Sequence, residues 1–345
     1  MNVLRGRGRT VSVLALLAAS AVGLSACGSN DGTSSSSGGG GGAENEIDIV
    51  GFSVIKSAYD DLGEQFSATP DGEGVTFKSS YGASGAQSRA VIAGQKADLV
   101  AFSLEPDMTK VVDAGKVGED WQSAGSTKGI ASSSVVVIVT RKGNPKGIKG
   151  WDDIAKPGVE IVTADPGTSG AAKWNLLGAY SQALGDSNDE AAAETYLKSF
   201  IGNVVSWNDS GRNATDAFIK GTGDVLISYE NEAIAARAAG EELDYVVPES
   251  TLLIQNPAAV TTEAPEATSK FLEYIESTEG QTILAKHGYR PVIDGVEATG
   301  VEGANDPAAP FPAVADLTTI DELGGWSEVD KKFFGDDGIV TKLRG

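Results

Sequence analysis

Tyr81-Gly82-Ala83-Ser84-Gly85-Ala86-Gln87 stands between a β-rich run, Gly74 to Lys78, and a run of helical spacing, Ala86 to Ala93. Small residues at a strand-to-helix junction leave backbone N–H groups uncovered. The first N–H groups of a helix have no partner within the helix, and its dipole makes that end partly positive. Such a junction can hold an anion without a charged side chain. Ser84 is placed either to cap the helix or to turn its hydroxyl toward a ligand. One turn of this kind caps helices in many proteins, so its meaning rests on recurrence and setting.

The pattern recurs. Val159 to Thr163 reads as a strand and runs into Ala164-Asp165-Pro166-Gly167-Thr168-Ser169-Gly170-Ala171-Ala172-Lys173-Trp174-Asn175, which opens a helix from about Gly170 to Leu184. Asn203 to Trp207, a strand, leads through Asn208-Asp209-Ser210-Gly211-Arg212-Asn213 into a helix from Ala214 to Lys220. Asp224 to Ser228 leads into Tyr229-Glu230-Asn231-Glu232-Ala233, another helix start. With strands at Ile47 to Phe52, Gly74 to Lys78 and Asp98 to Ser103, the chain alternates β and α. This predicts a mostly parallel sheet with these loops at the strands' C-terminal ends, where such sheets bind ligands. Ser132 to Thr140 and Tyr245 to Pro248 read as two crossings between lobes, and hinged two-lobe folds bind in the cleft between them. Asn305 to Gly345 is rich in Gly and Pro and is expected to wrap the surface.

The chain has 345 residues, 41% of them hydrophobic, enough for a large core in two lobes. Arg5, Arg7 and Arg9 precede a short apolar run, Val11 to Leu24, the make-up of a signal peptide over residues 1–26. Leu24-Ser25-Ala26-Cys27 has the pattern of a bacterial lipobox, which implies cleavage before Cys27, lipidation there and anchoring to the outer face of the cytoplasmic membrane. Residues 28–43 are Gly/Ser-rich and read as a flexible tether. Cys27 is the one cysteine, so no intrachain disulfide can form. Net charge is −21, and −24 without residues 1–26 with their three arginines and no acid, which argues against nucleic acid as a partner.

Nothing points to an enzyme. The one histidine is His287, in a Lys-His-Gly-Tyr-Arg-Pro context that reads as structural. Neither Gly82-Ala83-Ser84-Gly85 nor Gly167-Thr168-Ser169-Gly170 has the spacing of a nucleophile elbow, and no phosphate-binding G-x-x-x-x-G-K-[ST] occurs. No metal pattern and no cofactor motif stands out. Glu230 and Glu232 read as complements to a helix dipole, Arg212 as ordering its own loop, and the five tryptophans as packing residues.

SYGASGAQ (80–87), VTRKGNPK (139–146), DPGTSGAAKWN (165–175), GTGDVLISYENEA (221–233), GYRPV (288–292) and LGGW (323–326) together match a known family. Over residues 47–341 the body resembles the sulfate/thiosulfate-binding proteins of ABC importers, most closely the actinobacterial lipoproteins. The resemblance implies an α/β, type II periplasmic-binding-protein fold: two α/β lobes with a hinge and an inter-lobe ligand cleft. It divides the chain into 1–26 (signal peptide), 27–43 (lipidated Cys and tether), 44–134 (lobe 1, first part), 135–247 (lobe 2) and 248–345 (return to lobe 1 and C-terminal wrap).

The resemblance further implies one dehydrated sulfate, or thiosulfate, held by neutral donors and delivered to a membrane permease whose ATPase is separate. By position, Ser84 is the lobe-1 hydroxyl and N–H donor. Ser169, Gly170 and Ala171 are helix-start donors of lobe 2, and Gly211 is the N–H donor of the third loop. Tyr229 stands where many members have Trp. Ser53, Val54 and Ile55 stand as a group where much of the family has S-Y-D. A phenol can accept as well as donate, so Tyr229 leaves other tetrahedral oxyanions (molybdate, tungstate, phosphate) as the alternative ligands. A monomer is expected.

Overall fold

The structure, a computed structural model, describes residues 45–345 except Ala124 and Asp186. The expectations for residues 1–43, lipidation of Cys27 included, lie outside the described residues.

β1 (Glu46–Phe52) lies between β2 (Thr76–Gly82) and β3 (Leu99–Ala101), all parallel. β5 (Ile161–Ala164) lies between β6 (Val204–Asn208) and β7 (Val225–Tyr229), again all parallel. Two long strands join these sets. β4 (Ile130–Arg141) pairs antiparallel with β9 (Ser250–Val260) through its first half and with β7 through its second, while the end of β9 pairs with β3. The sheet order is therefore β2-β1-β3-β9-β4-β7-β5-β6.

The second crossing differs from the sequence reading. Tyr245 to Pro248 overlaps β8 (Leu243–Val246), which pairs with Ile138–Arg141 of β4 beside the second set. Four residues at about 3.3 Å each are too short to join two sets of strands. The eleven residues of β9 are long enough, though Gln255, Asn256 and Pro257 interrupt its apolar pattern.

Local chemistry explains the elements. In β4, Val136 and Ile138 enter one core layer with Trp151 and Trp174, and Val135, Val137 and Val139 enter another with Phe218 and Ile234. An unbroken β-branched run is what a strand covered on both faces requires. On the first set, α1 (Lys56–Ser67), α2 (Ser84–Ile92) and α3 (Glu105–Asp113) connect the strands. On the second, α4 (Trp151–Ile154), α5 (Gly170–Leu184), α6 (Glu190–Gly202), α7 (Gly211–Ile219) and α8 (Glu230–Ala238) do so. α9 (Glu266–Glu276) and α10 (Thr278–Lys286) follow β9, and His287 at the end of α10 reaches Asp61 on α1 at 3.0 Å.

α5 is buried on nearly every face from Gly170 to Ser181, as its all-round apolar sequence demands. Part of that cover comes from the C-terminal segment, which contains β10 (Asp316–Thr318), α11 (Gly325–Val329), a π-helical turn (Asp330–Phe334) and α12 (Ile339–Arg344). Trp326 meets Trp174 edge-on at 4.9 Å, Phe333 meets Tyr180 at 4.6 Å, and Lys173 pairs with Asp330 at 2.6 Å. Arg344 ends the segment on Asp165, with its guanidinium 4.2 Å from the Trp207 ring.

Burial pushes the Asp165 carboxyl up, but Arg344 and the Gly167 N–H outweigh it and hold it below its ordinary value. A carboxyl with a lowered folded-state pKa stabilises the fold above the ordinary carboxylate range and loses that share as pH falls through the folded value. Arg344→Ala is expected to cost about 1 kcal/mol at pH 7, since the pair is partly screened. The difference from wild type in urea unfolding should shrink toward zero below about pH 4. An equal difference at pH 7 and pH 3 would show that the ion pair is not what Arg344 contributes.

Candidate functional site

Four helices begin where parallel strands end. α2 follows β2, α5 follows β5, α7 follows β6 and α8 follows β7. At the start of α2, Ala86 and Gln87 donate to the Ala83 carbonyl at 2.9 and 3.0 Å. The Ser84 and Gly85 N–H groups precede them and have no acceptor within the helix. In α5, Ala172 donates to the Ser169 carbonyl, leaving Gly170 and Ala171. In α7, Asn213 donates to Ser210 Oγ at 3.1 Å and Ala214 to the Ser210 carbonyl, leaving Gly211 and Arg212. Each of these three helices thus opens with two N–H groups that no helical acceptor satisfies. Gly85, Gly170, Ala171 and Gly211 carry no side chain beyond a methyl to cover these groups.

Tight contacts bring these starts together. A Cβ added at Gly211 would lie 3.1 Å from Val54 Cγ2 and 3.2 Å from Ala171 Cβ. A Cβ added at Gly170 would lie 2.5 Å from Ser103 Oγ and 2.7 Å from Leu104 Cγ. One added at Gly85 would lie 3.2 Å from the Thr168 carbonyl oxygen. The 3₁₀ turn Ser53–Ile55 after β1 brings Val54 into this packing, with Val54 and Ile55 buried and Ser53 half-buried. Ser84, Ser169, Ala171 and Tyr229 are all buried.

The expected residues differ in what they can offer. Ser84 caps nothing: Ala83 is the N-cap of α2, and no side chain caps that end. The Ser84 hydroxyl donates to Asp107 Oδ2 at 2.7 Å and accepts the Ser103 N–H at 3.0 Å. Its one proton is therefore engaged, and in this arrangement Ser84 offers an anion its N–H rather than the hydroxyl expected from the sequence. Ser169 is the N-cap of α5 by backbone, and its hydroxyl makes no capping bond. Tyr229 ends β7, with its phenol oxygen 2.7 Å from Ser103 Oγ. Burial pushes the Tyr229 phenol well up, so it keeps its proton at any physiological pH.

Ser103 is the residue that sequence reasoning missed. It takes part in four hydrogen bonds: its N–H to Ser84, its Oγ to Tyr229, and its carbonyl from Trp174 Nε1 at 2.9 Å and Asn256 Nδ2 at 3.0 Å. Phe102-Ser103-Leu104 lacks the small-residue signature of the other loops and reads as a strand end. The one available signal was Glu105-Pro106-Asp107 just after it, since Pro marks the first turn of a helix. Trp174 is likewise more than packing, because its indole N–H holds this loop.

Two arginines beside the α7 and α8 starts are spent on buried glutamates. Arg212 Nη2 lies 2.6 Å from Glu232 Oε1, and Thr215 donates to Glu232 Oε2 at 2.8 Å. Arg290 grips Glu230 through two nitrogens at 2.7 and 3.1 Å. Burial raises both carboxyls, and the arginines pull them back. Glu230 and Glu232 are thus buried members of ion pairs, beyond the dipole role read from the sequence, and Arg212 ties α7 to α8. With these pairs closed, the starts of α5 and α7 present neutral N–H donors, and at the start of α2 Arg89 Nη1 lies 3.4 Å from a Cβ placed on Gly85. That arrangement suits a small anion with several acceptor oxygens, held mainly by neutral donors.

A family described as bacterial extracellular solute-binding protein matches residues 47–290. A sulfate-binding protein of Synechococcus elongatus is 40% identical over 343 residues, covering 96% of this chain and 94% of the relative. A thiosulfate-binding protein of Escherichia coli is 31% identical, covering 81% of this chain and 84% of its own. Among solved structures, the sulfate-binding protein SubI from Mycobacterium tuberculosis is 42% identical and superposes with a TM-score of 0.79, over 84% of this chain and 99% of that one.

Arg290→Met leaves Glu230, which is fully buried, without its partner. Such a break is expected to cost about 3–5 kcal/mol in urea unfolding. Adding Glu230→Gln should recover most of it, and a loss below about 1 kcal/mol would mean that the pair is not a structural constraint.

Proposed function

The chain belongs to the bacterial extracellular solute-binding proteins, and on that premise we propose that it captures sulfate between its two halves and delivers it to the permease of an ABC importer. The observation that carries this reading is the meeting of three helix starts, each with two N–H groups lacking a helical acceptor, where Arg212 and Arg290 are already held by buried glutamates. Sulfate at neutral pH presents acceptors only, which suits a site made of donors. Ser53 to Ile55, Ser84, Ser169, Gly170, Ala171, Gly211 and Tyr229 are the proposed contacts.

The energetics support it. Each charge-assisted hydrogen bond contributes about 1.5–3 kcal/mol net. Roughly seven of them, set against an association cost of about 4–15 kcal/mol, reach the ~8 kcal/mol of micromolar binding. Neutral donors also leave no buried countercharge when the ligand departs. Closing about β4 and β9 brings the Ser84 loop against the starts of α5 and α7. The closed form then docks on the permease, whose ATPase is a separate protein. The exported chain acts as a monomer, held at the membrane by lipid on Cys27, and does no chemistry on its ligand. Thiosulfate is the next candidate ligand, followed by molybdate and phosphate.

Calorimetric titration with sulfate, thiosulfate, molybdate and phosphate tests this reading. Sulfate or thiosulfate should bind most tightly, and phosphate binding as tightly as sulfate at pH 7 would defeat the assignment. Ser169→Asp puts a negative charge among the donors and should weaken sulfate more than about 100-fold, which corresponds to ~2.8 kcal/mol. Gly170→Ala pushes a methyl into Ser103 and should weaken it about tenfold or more. Cys27→Ser should move the protein from the membrane fraction to the soluble fraction. Retention on the membrane would end the lipid-anchor reading.

A further inference from the structure

We propose that Ser103 supplies a hydroxyl donor to the bound oxyanion, and that Tyr229 acts through Ser103 rather than on the ligand directly. This rests on the sulfate-capture reading above, and in its set of contacts it puts Ser103 in the place of Tyr229.

Position comes first. Ser103 lies in the connection from β3 to α3, in the first set of strands, while Tyr229 and α5 belong to the second. Its Oγ faces the first turn of α5, where a Cβ on Gly170 would sit 2.5 Å away. Gly170 and Ala171 at that turn carry N–H groups with no helical acceptor, so the hydroxyl stands beside donors proposed for the anion. The backbone of Ser103 is fully engaged, with Ser84 on its N–H and Trp174 and Asn256 on its carbonyl. These bonds hold the residue in place without using its side chain.

Proton bookkeeping gives the direction. Tyr229 and Ser103 have one proton each, and their 2.7 Å bond uses one of the two. Ser132 donates to Asn256 Oδ1, and the Asn256 amide nitrogen donates to the Ser103 carbonyl, so neither uses the Ser103 hydroxyl. A phenol is a far stronger acid than an aliphatic alcohol, so it is the better donor of the two. The proton order is then Tyr229 to Ser103, and Ser103 outward. Among the described residues, Tyr229 is the one partner of Ser103 Oγ, so the outward proton has no acceptor in the protein. Because the pair spans both sets of strands, this donor is assembled only when the halves are closed.

The test is sulfate calorimetry on the wild type, Ser103→Ala, Tyr229→Phe and the double variant, with thermal melting of each. One lost hydrogen bond to a charged group should weaken binding about 10- to 150-fold in Ser103→Ala. Tyr229→Phe loses only orientation and should cost less, and the double variant should match Ser103→Ala. Melting should stay near wild type, because the backbone bonds of Ser103 remain. If Ser103→Ala melts much earlier, Ser103→Cys, which keeps a side chain but only a weak donor, should still show the loss. Wild-type affinity in Ser103→Ala, or a full loss from Tyr229→Phe alone, overturns the proposal while leaving sulfate capture intact. A wild type that takes no sulfate overturns both.

Discussion

A buried N–H must have an acceptor, and that requirement shapes this molecule more than any other. Three helices start at strand ends with two N–H groups each that their own turns cannot satisfy. A protein could bury such groups only at a cost of about 1–3 kcal/mol each. Here they are gathered at one place instead. The glycines and alanines around them, the long joining strands, and the loop through Ser103 serve to bring those groups together and keep other acceptors away. An incoming anion supplies what the fold leaves out.

The charges around the site follow from the same requirement. Arg212, at the start of α7, and Arg290 are each held by a buried glutamate at the start of α8. Those ion pairs tie α7 to α8 and the GYRPV segment to α8. They leave neither of these two arginines free for the anion. The protein's net charge of −21 is then no obstacle to holding a dianion, because surface charges are screened beyond about 8 Å at physiological salt. Short-range donors decide whether the ligand stays, and the acidic surface affects mainly how fast it arrives.

Much of this was legible in the chain. Strand runs such as SSSVVVIVTR, and the repeated step from a strand into small residues and then a helix, have local causes: side-chain branching, helix starts and the absence of Cβ atoms. The helix from Gly170 to Leu184 was read with its bounds because its capping and its all-round apolar sequence are both local. β9 was harder, since its middle residues, Gln255, Asn256 and Pro257, break the strand pattern. They are placed by what lies across the sheet: Asn256 turns its amide to the Ser103 carbonyl. The C-terminal segment was legible only as Gly- and Pro-rich. Its place on α5 and α6 comes from Trp326, Phe333 and Arg344 meeting Trp174, Tyr180 and Asp165.

The sequence by itself determined which backbone groups would lack partners, because helix starts and small residues are properties of neighbours along the chain. It also determined the alternation of strands and helices that sends those starts to one edge. Only the tertiary structure decided which hydroxyl has a proton to spare. Ser84 gives its proton to Asp107, twenty-three residues away, and Ser103 meets Tyr229 across 126 residues. A hydroxyl can donate once, and where that one proton goes depends on the acceptor beside it in space, which no local pattern records.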